Sequence, residues 1–231
     1  MTTLTSPSGP TLEGDLLVPD GATGVVLFAH GSGSSRFSSR NRYVAQYLRE
    51  GGLGTLLIDL LTPQEEAVDN RTAHLRFDID LLADRLVGAI EWLSRQPSTS
   101  KLRVGMFGAS TGGGAALVAA ARVPDRVAAV VSRGGRPDLA GAALPKVKAP
   151  TLLIVGGDDV PVIGMNREAY DQMRCERRME IVPGASHLFE EPGTLERVAE
   201  LAREWFVRYL GTGGSLSPQR AAGMCHCGDR L

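Results

Sequence analysis

A chain of 231 residues with 43% hydrophobic side chains is long enough to form one α/β domain around a substantial core. Its 25 basic and 26 acidic residues leave a formal charge of −1, which excludes the bulk electrostatic attraction that marks a nucleic-acid binder. Residues 1–20 lack the basic and apolar regions of an export signal, and no stretch nears the roughly 18 apolar residues that span a bilayer, so a cytoplasmic protein away from membranes is expected.

Along the chain, short apolar runs alternate with helical patterns. A strand is expected over 11–18, and a buried one over 25–29 that stops at His30-Gly31-Ser32-Gly33-Ser34-Ser35. A helix over 41–50 ends at Gly51-Gly52, and a strand follows over 53–59. Leu75, Ile79, Leu82, Leu86, Ile90 and Leu93 recur at helical spacing and predict one long amphipathic helix over 75–95. Strands over 102–107, 127–131, 151–155 and 178–182, with helices over 111–122, 164–174 and 194–210, complete the series. Near-continuous apolar strands alternating with helices predict a three-layer α/β fold, a mostly parallel sheet covered on both faces. One domain over 1–211 is expected, followed by a disordered tail over 212–231. The tail holds Cys225-His226-Cys227, too few ligands for a structural zinc site, and with Cys175 the three cysteines do not suggest a disulfide framework.

Gly108-Ala109-Ser110-Thr111-Gly112 joins the strand over 102–107 to a helix of small residues. G-x-S-x-G in that setting predicts a nucleophile elbow, a tight turn that lifts the serine hydroxyl above the sheet. A serine nucleophile needs a base and an acid that orients it, and both are found at the carboxyl ends of later strands. Asp158 and Asp159 follow the strand at 151–155, and His187 follows the strand at 178–182 through Pro183-Gly184-Ala185-Ser186. Asp159 is preferred over Asp158 because it completes a G-x-x-D turn with Gly156. For the oxyanion, the amide of Thr111 and one from the 30–33 loop, Ser32 with Gly33 as the alternative, are the expected donors. That loop matches neither of the glycine-rich nucleotide-binding patterns.

The segments FAHGSGSS (28–35), FGASTGGGAAL (107–117), LLIVGGDD (152–159) and VPGASHLFEEPG (182–193) resemble an α/β-hydrolase of the dienelactone hydrolase-like group, over residues 10–210. The resemblance implies Ser110, Asp159 and His187 as a catalytic triad, a cytosolic location and no cofactor; no metal site is expected. One departure concerns the nucleophile, which is cysteine in dienelactone hydrolases proper and serine here. Domains with similar segments occur fused to phosphoribosyltransferases, a partner for which this chain is expected to have no room.

Only 18 residues, 133–150, stand where many α/β-hydrolases insert a helical cap, so no large cap is expected and the site is open on that side. Arg133 and Arg136 begin this segment and are candidates to clamp a substrate carboxylate, with pairing to Asp138 or another carboxylate as the structural alternative. Arg36, Arg40 and Arg42 after the oxyanion loop are candidates to add positive potential, with an exposed helix start as the alternative account. The expected activity is hydrolysis of an ester, lactone or thioester of a small substrate through an acyl-enzyme; the alternative is a non-catalytic binding protein on the same fold.

Overall fold

The computed structural model describes residues 2–4 and 9–211; the tail and its cysteines lie outside them. Eight strands form one sheet: β1 (Thr2–Leu4), β2 (Leu12–Leu17), β3 (Gly24–Ala29), β4 (Gly54–Ile58), β5 (Arg103–Ala109), β6 (Val127–Arg133), β7 (Thr151–Gly156) and β8 (Arg177–Val182). Their order across the sheet is β1-β2-β4-β3-β5-β6-β7-β8. The six strands from β4 to β8 run parallel, while β2 and β1 extend the other edge antiparallel.

Alternation along the central strands supplies two cores. Val25, Leu27, Leu56, Met106 and Leu153 point to one face, and Val26, Phe28, Leu57, Phe107 and Leu152 to the other. The first face is covered by α3 (Ile79–Leu93), α4 (Thr111–Arg122) and α5 (Val160–Gln172), the second by α1 (Ser39–Glu50) and α6 (Thr194–Leu210). Phe28 and Phe107, fully buried with ring centroids 5.0 Å apart, each contribute about 1.5–3 kcal/mol over an exposed ring. This is the mostly parallel, three-layer α/β architecture of the α/β-hydrolases, and among the described residues no cap domain covers it.

Several elements differ from the sequence expectation. The helix expected from Leu75 starts at Ile79, because the Asp78 carboxylate accepts the Leu81 amide as an N-cap and leaves Leu75–Phe77 as a separate 3-10 turn. A further helix, α2 (Pro63–Thr72), has no apolar stripe to betray it. Its signal is the capping box, Thr62 and Glu65 each bonding the other's backbone, with Pro63 at the first turn. α5 begins four residues earlier than expected, at Val160 with Pro161 in its first turn. β6 runs two residues past 131, to Arg133, and β8 is a half-exposed edge strand.

Candidate active site

The elbow is built from close approaches. Ser110 stands between β5 and α4 with φ 50° and ψ −122°, a conformation that costs a non-glycine residue about 1–3 kcal/mol. Its backbone is held from three sides: its amide donates to Arg133 O at 3.3 Å, and its carbonyl accepts from Gly113 and Arg136 at 2.9 and 3.0 Å. A Cβ at Gly112 would sit 2.3 Å from Ala29 O, and one at Gly108 2.5 Å from Gly112 O, so neither position admits a side chain. The glycine spacing of the motif is therefore a packing requirement of the turn.

Asp159 occupies the position before the first turn of α5, where an aspartate commonly caps its own helix. Here the side chain makes no cap bond and instead meets His187 Nδ1 with Oδ2 at 2.6 Å. Asp158 is exposed and contributes its amide to Ala185 O at 3.0 Å. The loop carrying His187 is fixed by Glu191, whose carboxylate accepts the Ser186 amide at 3.0 Å, and bonding from Ser186 holds this carboxyl below the usual range.

Gly31 passes directly over the elbow: a Cβ there would lie 3.0 Å from the Ser110 Cβ. The loop is stapled by His30, whose Nδ1 lies 2.9 Å from Gly31 O while Nε2 accepts the Leu60 amide at 3.1 Å. Both bonds form together only when the ring is neutral with its proton on Nδ1, and burial lowers the imidazole pKa in agreement. Arg36, buried, closes the loop from beneath. Its amide donates to Asp59 Oδ1 at 2.7 Å, and its guanidinium pairs with Asp59 and, at 2.7 Å, with Glu13. Arg36 and Asp59 are thus structural partners.

A cleft of about 250 Å³ is lined by Gly31, Ser32, Ser34, Ser38, Arg40, Asn41, Ser110, Arg133, His187 and Leu188, among others. The structure therefore brings Ser110, His187, Ser32 and Arg133 to one cleft, with Asp159 bonded to His187. Thr111, the first residue of α4, has an amide with no intrahelical acceptor, and it lines a smaller neighbouring cavity together with His30, Ser32 and Arg76, among others. Among the described residues, no group of three or more His, Cys, Asp or Glu is placed to hold a metal ion.

The two candidate arginines part company. Arg136 makes a two-point pair with Asp138, Nε and Nη2 at 2.9 and 2.7 Å, and is not among the residues lining the cleft. Arg133 is buried at the end of β6, and burial together with the nearby Arg40 charge lowers its pKa to about 10, so it stays charged at neutral pH. Arg40 reaches Glu190 at 2.9 Å, and Arg42 faces the exposed Phe37 ring. The roles of His30, Arg36 and Glu191, and the helix α2, escape a reading of the sequence; of these, only the capping box of α2 leaves a signal there.

Comparison with known proteins agrees with this architecture. The chain is 65% identical to a dienelactone hydrolase of Anabaena variabilis of known crystal structure, covering 90% of this chain and 96% of that one with a TM-score of 0.88. A more distant match, Est1E of Butyrivibrio proteoclasticus with bound ferulic acid, is 16% identical with a TM-score of 0.74 over 90% of this chain and 99% of that one, a likeness of fold alone. Two Mycobacterium tuberculosis proteins named "Putative phosphoribosyl transferase" are 57% identical over 210 residues, 90% of this chain, which spans only 46% of their length. The dienelactone hydrolase family model matches residues 12–211, nearly all of the described residues, and the protein belongs to that family of hydrolases.

Proposed function

We propose that this hydrolase cleaves carboxylic ester, lactone or thioester bonds of a small molecule through an acyl-enzyme on Ser110. The observation that carries the reading is the 2.6 Å contact of His187 Nδ1 with Asp159, made beside the cleft that Ser110 and His187 line together. In the first half-reaction the Ser110 Oγ bonds to the acyl carbon while His187 Nε2 takes its proton. Asp159 orients the imidazole and stabilises its charged form. The amides of Thr111 and Ser32 hold the oxyanion, and collapse expels the alcohol or thiol, which leaves with the proton from His187. Water then repeats the sequence on the acyl-serine, releasing the acid and returning the proton to Ser110. Arg133 serves as a substrate-binding residue at the cleft wall. The name of the mycobacterial relatives describes proteins about twice this length, and the proposed chemistry concerns only the part they share with this chain.

An activated phosphonate should label Ser110 in the wild type, and Ser110→Ala and His187→Ala should each lower kcat on p-nitrophenyl esters by roughly 10⁴- to 10⁶-fold without unfolding the protein. The double variant should be little worse than either single one. If Ser110→Ala keeps more than about a tenth of the activity, the covalent mechanism is wrong, and the alternative of a binding protein gains if no substrate in an ester, thioester and lactone panel turns over.

A further inference from the structure

A buried guanidinium ordinarily has a carboxylate beside it, because an unpaired charge out of water is costly. Arg133 is 6% exposed and has none among the described residues. Its Nη1 and Nη2 reach only Leu188 O and Asn41 Oδ1, both at 3.5 Å, its Nε has no partner there, and the Phe189 ring lies 5.7 Å away. The guanidinium lines the same cleft as Ser110 and His187, and among the described residues no acidic side chain lines that cleft. Three further positive or donor features converge there. Arg40 lines the cleft; its Nη1 pairs with Glu190 at 2.9 Å, while its buried Nε has no partner among the described residues. α1 begins at the cleft with no acidic residue in its first turn; the Ser38 hydroxyl takes the Asn41 amide, which leaves the amide of Arg40, a residue of the cleft wall, without an intrahelical acceptor. Ser34 and Ser38, two hydroxyl-bearing residues, complete the wall.

On the reading that Ser110 hydrolyses an ester, we propose that the substrate carries a phosphoryl group, held by Arg133, Arg40 and the first turn of α1. A carboxylate has two oxygens in one plane, and a single forked arginine matches both of them. Here donors come from the end of β6, from the Arg40 side chain and from a helix start, an arrangement suited to a tetrahedral group with three outer oxygens and a charge of about −1.5 to −2. The phosphoryl group would thereby anchor the substrate at one wall of the cleft, leaving its acyl carbon to be placed at Ser110.

Inorganic phosphate is the probe, titrated calorimetrically into Ser110→Ala protein and tested as a competitor of p-nitrophenyl acetate hydrolysis by the wild type. Phosphate should bind and compete, malonate should bind more weakly, and Arg133→Gln should raise the phosphate Kd by roughly tenfold or more. Arg40→Gln should raise it several-fold, and it keeps the assignment testable if Arg133→Gln does not fold. The proposal falls if malonate binds as tightly as phosphate, if neither folded variant changes phosphate binding, or if about 20 mM phosphate neither binds nor inhibits. Any of these results alongside Ser110-dependent hydrolysis overturns the phosphoryl assignment alone. Arginine-dependent phosphate binding with Ser110-independent hydrolysis instead supports the anion site and removes the acyl-serine chemistry.

Discussion

At the scale of single residues, the choice between Asp158 and Asp159 rests on which carboxylate faces His187. Asp159 is half-buried and bonded to Nδ1, while Asp158 projects into solvent and serves the loop through its backbone. Asp159→Asn should leave the fold intact, yet lower kcat by roughly 10⁴-fold by presenting the wrong hydrogen-bond partner to the imidazole. Asp158→Asn should change kcat less than about twofold, since an exposed side chain contributes little. Steady-state kinetics with one p-nitrophenyl ester decides it: the opposite ranking moves the orienting acid by one position.

At the scale of elements, α2 is set apart by how it is held. Its only buried residue is Asp69, which accepts the amides of Leu75 and Arg76 at 2.7 and 3.0 Å and the Arg76 Nε at 2.6 Å; Glu65 adds a pair with Arg85 at 2.6 Å. Burial alone would raise the Asp69 pKa, but the bonds from Arg76 and Leu75 outweigh it and hold the carboxyl below its ordinary value. The anchor is therefore intact above the ordinary carboxylate range and is lost only as pH falls through the lowered value. With no apolar face to hold it, α2 depends on these polar contacts, of which the Asp69 cluster makes the most bonds. Asp69→Ala should speed amide exchange over residues 63–72 by roughly tenfold or more while leaving α3 and α4 protected. Uniform loss of protection across the sheet would show instead that α2 and the core unfold together.

For the molecule as a whole, His30 couples stability to pH. The buried ring is neutral in the folded state, where Nε2 must accept the Leu60 amide, and burial puts its pKa below 6.5. As pH falls through 6.5 the unfolded chain takes up a proton that the folded one refuses, so stability declines from there toward the lowered folded value. Urea unfolding at a series of pH values should show that decline in the wild type and a shallower one in His30→Gln. Equal slopes in the two proteins would mean that other groups set the acid response.

Much of the design is legible in the amino-acid sequence alone. Alternating apolar runs and helical periodicity dictate a parallel sheet between two helical layers, because each pattern can bury its apolar side in only that way. Ser110, Asp159 and His187 stand out because each follows a strand, and strand ends gather at one edge of a parallel sheet whatever the details of packing. The glycines of the elbow are readable for a similar local reason. What the sequence leaves open depends on distances between residues far apart in the chain. Arg133 and Arg136 look alike in sequence, yet one is clamped by Asp138 two residues away and the other is buried against Asn41, Leu188 and Phe189 without a carboxylate among the described residues. Whether a charge is paired or left facing a cleft is decided by which strands and helices meet around it. That is a property of the tertiary structure, and no local pattern carries it.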